Sequence, residues 1–238
     1  MMPAGLLRER AVDAVEDMDK ADCDLRRLNR SYARFPMVNR LLSGWHGIYR
    51  EQIRPLLVSQ GAATLLDIGC GGGDVARNLA GWARRDGLAL EVTGIDPDER
   101  AFRFASHAVP NDAVTYRKCF SSELVAEGRR FDVVISNHIL HHLTPEQLAG
   151  VLDDSEQLCT GWAIHNDLRR SAAAYYLFGA GFWPLGLGSY ICGDGLTSIR
   201  RSYTPDELRA AVPPAWQVEW HGPWHNLLTY RQEDRTGA

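Results

Sequence analysis

From about residue 62 onward, short apolar runs alternate with segments of helical period, a pattern that predicts a mostly parallel sheet with helices on both faces. The runs "ATLLDIG" (63–69), "LEVTGID" (90–96), "AVTYRKC" (113–119), "RFDVVISN" (130–137) and "GWAIHNDL" (161–168) read as five successive strands. The fourth has a β-branched centre suited to burial on both faces. Helical spacing fills the intervals, in "DVARNLAGWARRDG" (74–87) and from about Asp98 to His107. Thr144, Pro145 and Gln147 spell an N-cap, a first-turn proline and the far member of a capping box, so a helix starts there and runs to about Leu158. "TPDELRAAV" from Thr204 repeats that start signal, and "WQVEWHG" (216–222) with "HNLLTYRQ" (225–232) forms a closing antiparallel pair.

The first 60 residues carry a different pattern. Leu25, Leu28, Tyr32 and Phe35 recur at three- and four-residue spacing, with Pro36 and Pro55 as punctuation. We expect residues 1–60 to be helical and to fold as a lid over the ligand-binding edge of a core formed by residues 61–238. Ser171 to Gly193 runs without a charge and is long enough to span a bilayer, but five glycines and Pro184 break it and its second half has no helical period. It reads as a cap, about residues 171–203, over an apolar pocket between the fifth and sixth strands, in preference to membrane contact.

Composition narrows the function classes. The 238 residues are 45% hydrophobic and 24% charged with a net charge of −4, so a sizeable core is affordable and nucleic acid is not an expected partner. The five cysteines (Cys23, Cys70, Cys119, Cys159, Cys192) are scattered and form no CxxC pair, which argues against a disulfide framework or a cysteine zinc site. Met1 to Lys20 is charged throughout and does not read as a signal peptide; the expected location is the cytoplasm, as a monomer or homodimer.

The chemistry is concentrated in "TLLDIGCGGGDVA" (64–76). Its glycines fall at positions 69, 71, 72 and 73, with Asp74 where the third glycine of a dinucleotide fingerprint belongs. Asp67 stands just before them, and a carboxylate there favours a cationic ligand over a pyrophosphate. With "GIDPD" (94–98) and "FDVVISNHILHHL" (131–143), the stretch resembles, over most of residues 60–170, the class I S-adenosylmethionine-dependent methyltransferases, in particular bacterial enzymes acting on quinones, phenols and polyketide-type metabolites. The resemblance implies a Rossmann-like, mostly parallel seven-stranded sheet and S-adenosylmethionine as cofactor. It places the cofactor on Asp67, Gly69, Gly71, Gly73, Asp96, Pro97, Phe120, Ser136 and Asn137, with Asp96 on the ribose hydroxyls. The family's frequent acidic residue after the third strand is missing from "YRKCFSSEL", so adenine is expected to stack on Phe120 and to bond Ser121 or the backbone.

Methyl transfer to a hydroxyl benefits from a general base near neutrality, and histidine suits it. His165, on the fifth strand, is the first candidate and His141 the second. His138 and His142 stand at helical i,i+4 spacing but lack an acidic residue at zincin spacing, and no metal is expected. Asp167, Arg169, Tyr176 and Arg200 are expected to contact the acceptor, a small apolar or aromatic hydroxylated metabolite. The alternatives are N- or C-methylation of a small molecule, or a cofactor-binding module without turnover.

Overall fold

The computed structural model describes residues 5–108 and 111–232. Helices α1 (Leu25–Leu42), α2 (Trp45–Ile48) and α3 (Arg54–Gln60) precede strand β1 (Ala62–Ile68). Then follow α4 (Asp74–Arg85), β2 (Ala89–Ile95), α5 (Glu99–Ser106), β3 (Val114–Arg117), α6 (Ser121–Ala126), β4 (Phe131–Asn137), α7 (Pro145–Leu158) and β5 (Cys159–Leu168). Helices α8 (Ala172–Phe182), α9 (Ile191–Arg201) and α10 (Pro205–Ala211) lead to β6 (Gln217–His221) and β7 (His225–Arg231). The strands form one seven-stranded sheet in the order β3-β2-β1-β4-β5-β7-β6. β1 to β5 are parallel and β7 runs antiparallel between β5 and β6. The chain order reverses between β1 and β4, which opens a crevice at the carboxyl ends of these strands.

Period-two alternation divides each strand between two cores. In β1, Leu65 packs with Trp45, Ile48 and Leu79 on one face, while Leu66 and Ile68 pack with Leu148, Leu152 and Leu208 on the other. In β5, Ile164 faces the first core and Ala163 the second. The expected caps are present. Thr144 Oγ1 accepts from the Gln147 N–H at 3.2 Å while Gln147 Oε1 accepts from the Thr144 N–H at 2.9 Å, and Thr204 and Glu207 do the same for α10.

The N-terminal region departs from its all-helical expectation. α1 is capped by Asp24, whose side chain accepts from the Arg26 and Arg27 N–H groups, and it runs through Pro36 without ending there. Burial of Leu28, Tyr32 and Val38 along its length outweighs the hydrogen bond that the proline removes. Ahead of α1, residues 5–24 are irregular apart from a 3₁₀ turn at Asp17–Asp19, and they lie as a strap along α9. A strap without a regular ladder must bond its backbone elsewhere. The Ala11 N–H donates to Arg200 O at 3.0 Å, Arg201 Nη1 donates to Ala14 O at 2.8 Å, and the Asp17 and Met18 N–H groups donate to Asp194 at 2.8 and 2.9 Å. The buried Arg170 guanidinium donates to Leu7 O at 3.1 Å and Ser202 O at 2.7 Å and pairs with Glu207. Among the described residues, no helix is long and apolar enough to cross a membrane.

Replacing Arg170 removes the donor to the carbonyls of Leu7, Arg8 and Ser202 at once. Arg170→Leu is expected to lower stability in urea by about 2–3 kcal/mol and to speed tryptic cleavage at Arg8 and Arg10. Unchanged cleavage would show that the strap is held without it.

Candidate active site

The crevice is a cavity of about 490 Å³. Its floor is the glycine loop, its sides are the tips of β2 and β4, and its roof is made by α1, α9 and the strap around Glu16. Asp67, Gly69, Gly71, Asp96, Pro97, Phe120 and Asn137, all expected at the cofactor, line it.

The glycine loop follows β1 with Gly69 and Gly71 at φ of 67° and 52°, conformations that side-chain-bearing residues seldom adopt. A Cβ on Gly69 would sit 2.7 Å from Ile139 Cγ2, so the loop also needs the missing side chain for its approach to β4. Asp67 is 1% exposed, and neither of its carboxylate oxygens has a hydrogen-bond partner. Burial raises its pKa well above the usual carboxylate range, and the neighbouring Asp74 and Asp96 carboxylates add to the rise. Three carboxylates beside a glycine loop suit a ligand that brings positive charge and hydrogen-bond donors. Asp96 accepts from the Gly71 and Asp98 N–H groups at 2.9 Å each, and every carboxylate oxygen keeps a second lone pair for a hydroxyl. The unpartnered Asp67 therefore fits the cationic amino-acid end of S-adenosylmethionine, and Asp96 fits its ribose. At the mouth, Phe120 is 61% exposed and offers a ring for stacking, whereas the Ser121 hydroxyl already donates to Asp154 at 2.5 Å.

Two expected cofactor residues lie elsewhere. Gly73 caps α4 at a φ of 72°, and a Cβ there would meet the Tyr116 hydroxyl at 2.3 Å, so its role is packing. Ser136 is fully buried and bonds His165 Nδ1 at 2.7 Å, on the opposite side of the sheet from Asn137. His165 shares that fate and is not placed as a base. β5 continues to Leu168, and the pleat turns His165 into the core against Trp216, with ring centroids 5.2 Å apart. Burial lowers its pKa to about 3, so the ring stays neutral there.

The second candidate is placed at the cavity. After β4 the backbone turns sharply at His138, which has a φ of 59°, and enters a 3₁₀ turn over Leu140–His142. Asp167, from the tip of β5, holds this turn from behind. Its Oδ2 accepts from the His141 N–H at 2.8 Å and its Oδ1 from His141 Nδ1–H at 2.6 Å. Nε2 is thereby presented beside Glu16 Oε1, 3.4 Å away. Burial opposes a charge on His141, but Asp167 and Glu16 outweigh it and raise its pKa. Burial likewise opposes ionisation of Glu16, and the two neighbouring imidazoles outweigh it, so its pKa falls. His138 instead stacks on His225, Nε2 to Nε2 at 2.9 Å, and burial lowers its pKa to about 4.

Of the expected acceptor contacts, Asp167 is bonded to His141, and all four are absent from the cavity lining. Arg169 lies over the Trp220 ring at 4.2 Å, Tyr176 is 55% exposed against Tyr175, and Arg200 carries its backbone carbonyl to the strap. Phe178, Ile191 and Ile199 supply the apolar wall in their place. Glu16 was not foreseen. Nothing near it in the chain marks it, and only the path of the strap carries it to His141.

Asp96→Ala is expected to weaken S-adenosylhomocysteine binding about tenfold or more, measured by calorimetry. The second prediction concerns acid stability. A histidine held neutral by a depressed folded pKa contributes stability above its unfolded pKa near 6.5 and loses it as pH falls toward about 3. His165→Asn retains an amide for Ser136 and takes up no proton, so its unfolding free energy should fall less between pH 6.5 and 4; an unchanged slope would place the acid sensitivity in other groups.

Residues 65–160 match the methyltransferase domain family. A ubiquinone biosynthesis O-methyltransferase of Caulobacter sp. (strain K31) is 31% identical over 184 residues, covering 70% of this chain and 65% of that protein. One of Methylobacterium nodulans is 38% identical over 96 residues, covering 40% of this chain and 35% of its own length. The chain thus spans between about one third and two thirds of these relatives. Among solved structures, the plantazolicin methyltransferase in complex with S-adenosylhomocysteine superposes with a TM-score of 0.56 at 13% identity, covering 88% of this chain and 95% of that one. Magnesium protoporphyrin IX methyltransferase from Synechocystis PCC 6803 with bound S-adenosylmethionine gives 0.53 at 14% identity, covering 92% and 99%. With this match built into this sheet, residues 65–160 carry a methyltransferase domain, and the chain has the fold seen in S-adenosylmethionine-dependent methyltransferases.

Proposed function

We propose that the protein methylates a hydroxyl group of a small apolar or aromatic metabolite. The observation that carries this reading is the division of one cavity into a carboxyl-lined half at Asp67 and Asp96 and an apolar half that ends on the buried Glu16–His141 pair. Asp67, Gly69, Gly71, Asp96 and Pro97 would hold S-adenosylmethionine, with Phe120 against its adenine. Bound there, that cofactor supplies a methyl group on a sulfonium that is a ready leaving group.

The remaining work belongs to this chain. Phe35, Ile139, Leu168, Phe178 and Ile199 form a wall that takes an apolar acceptor and keeps water from the reacting centre. A hydroxyl is a weak nucleophile until its proton is drawn away, so one polar position must interrupt that wall. Glu16 and His141 supply it. Asp167 does not reach the acceptor; it is a positioning residue that holds the His141 ring in one tautomer, with Nε2 toward Glu16. Acceptors whose nucleophile is carbon or an unprotonated amine would have little use for this polar end. The ubiquinone biosynthesis O-methyltransferases named above support the O-methyl reading.

The test is an acceptor screen with product mass spectrometry over phenols, catechols, hydroxyquinones and matched amines. His141→Ala is expected to lower kcat on hydroxyl acceptors about a hundredfold or more while S-adenosylhomocysteine affinity stays within about twofold. Asp167→Asn should lower kcat in the same direction without restoring amine activity. Turnover of amines or carbon acceptors alone, indifferent to His141→Ala, would sink the reading.

A further inference from the structure

Three side chains at the polar end of the cavity are arranged around a common point. Glu16 Oε1 lies 3.4 Å from His141 Nε2 and 3.6 Å from His142 Nε2, and the three ligand atoms all fall within 4.8 Å of one another. Among the described residues this is the only group of three or more such side chains with that geometry. Both contacts are longer than a good N–H···O bond, and His141 Nε2 has no hydrogen-bond partner although it is buried. Ligands on a tetrahedral ion with bonds of about 2.0–2.1 Å stand roughly 3.3–3.5 Å apart. The two Glu16–histidine spacings are close to that separation.

The surroundings repeat the same pattern. A metal-bound imidazole commonly gives its other ring N–H to a carboxylate, which sets the tautomer and raises the basicity of the ligating nitrogen. Both rings do so here. His141 Nδ1 bonds Asp167 at 2.6 Å and His142 Nδ1 bonds Asp19 at 3.0 Å, leaving the Nε2 atoms of both directed at Glu16. Ser198 Oγ donates to Glu16 Oε1 at 2.7 Å and steadies the third ligand. Arg201 ties the two ligand-bearing segments together. Its guanidinium donates to the carbonyls of His141, His142 and Ala14 at 3.3, 3.1 and 2.8 Å.

We propose that Glu16, His141 and His142 bind a divalent transition-metal cation that coordinates the acceptor's hydroxyl oxygen. Two imidazoles and one carboxylate suit zinc, cobalt, iron or manganese better than calcium or magnesium, which prefer all-oxygen sets. Three protein ligands leave coordination positions for an oxygen entering from the apolar half of the cavity. The cation lowers the hydroxyl's pKa as it does that of bound water: the O–H bond breaks, its electron pair stays on oxygen, and the proton passes to solvent beside the partly exposed His142. The inference rests on the O-methylation reading and names what performs its deprotonation.

The experiment is titration of zinc alone into the full chain after dialysis against a chelator, followed by calorimetry, with cobalt as a spectroscopic probe. We expect one equivalent bound and visible cobalt bands of a four- or five-coordinate site. Glu16→Gln and His142→Ala should each weaken zinc at least about tenfold, and Asp19→Asn about tenfold, with unchanged circular dichroism and S-adenosylhomocysteine affinity. No stoichiometric zinc or cobalt binding to the folded chain, or binding indifferent to Glu16→Gln and His142→Ala, overturns the metal site. Hydroxyl methylation at full rate after chelation also overturns it while leaving the O-methylation reading intact. Metal binding with turnover of amines alone removes that reading and with it the role given to the cation.

Discussion

One carboxylate holds the chemistry in register. Asp167 is 2% exposed and spends both oxygens on His141 and the following backbone: the ring Nδ1–H, the His141 N–H and the Leu168 N–H. A buried carboxylate without such partners would be costly, and a His141 ring without Asp167 would have no preferred tautomer. The bond thus works in both directions. It makes the end of β5 tolerable as a buried strand and turns a 3₁₀ turn after β4 into a defined wall of the cavity. The strap then assembles on that turn, since Arg201 clamps the carbonyls of His141 and His142 to Ala14 and so delivers Glu16.

The two ends of the cavity handle buried charge in opposite ways. At the glycine loop, Asp67 has no internal partner, which is tolerable only if its proton is retained or a cationic ligand arrives. At the far end, Asp167 bonds one side of the His141 imidazole and Glu16 faces the other at 3.4 Å, so the buried carboxylates there have partners within the chain. One cavity thus has an unsatisfied carboxyl at one end and a hydrogen-bonded cluster at the other, and two segments, the strap and α9, line it together.

The elements of the sheet were legible because their signals are local. Alternation in "ATLLDIG" and "RFDVVISN", the Thr144–Gln147 and Thr204–Glu207 boxes and the glycine cluster each act over a few residues, and the structure has β1, β4, α7 and α10 where they point. The irregular strap was not legible. Residues 5–24 have no periodic face, and their bonds run to α9 and to Arg170 just after β5, far along the chain. His165 shows a finer limit. Its strand was foreseen, but β5 continues to Leu168, so His165 sits one two-residue repeat inside the sheet against Trp216 while Asp167, on the same face, reaches the tip and His141.

By itself the sequence determined the order of the strands and of α4, α5, α7 and α10, the carboxylate-and-glycine loop at the switch point, and the presence of Asp96 at the end of the second strand, because strand period, helix caps and backbone freedom are properties of neighbouring residues. Only the tertiary structure decided which histidine faces the cavity and that Glu16 meets it. Those pairings join residues far apart in the chain through the length of β5 and the path of the strap, and no short-range pattern of side chains encodes either one.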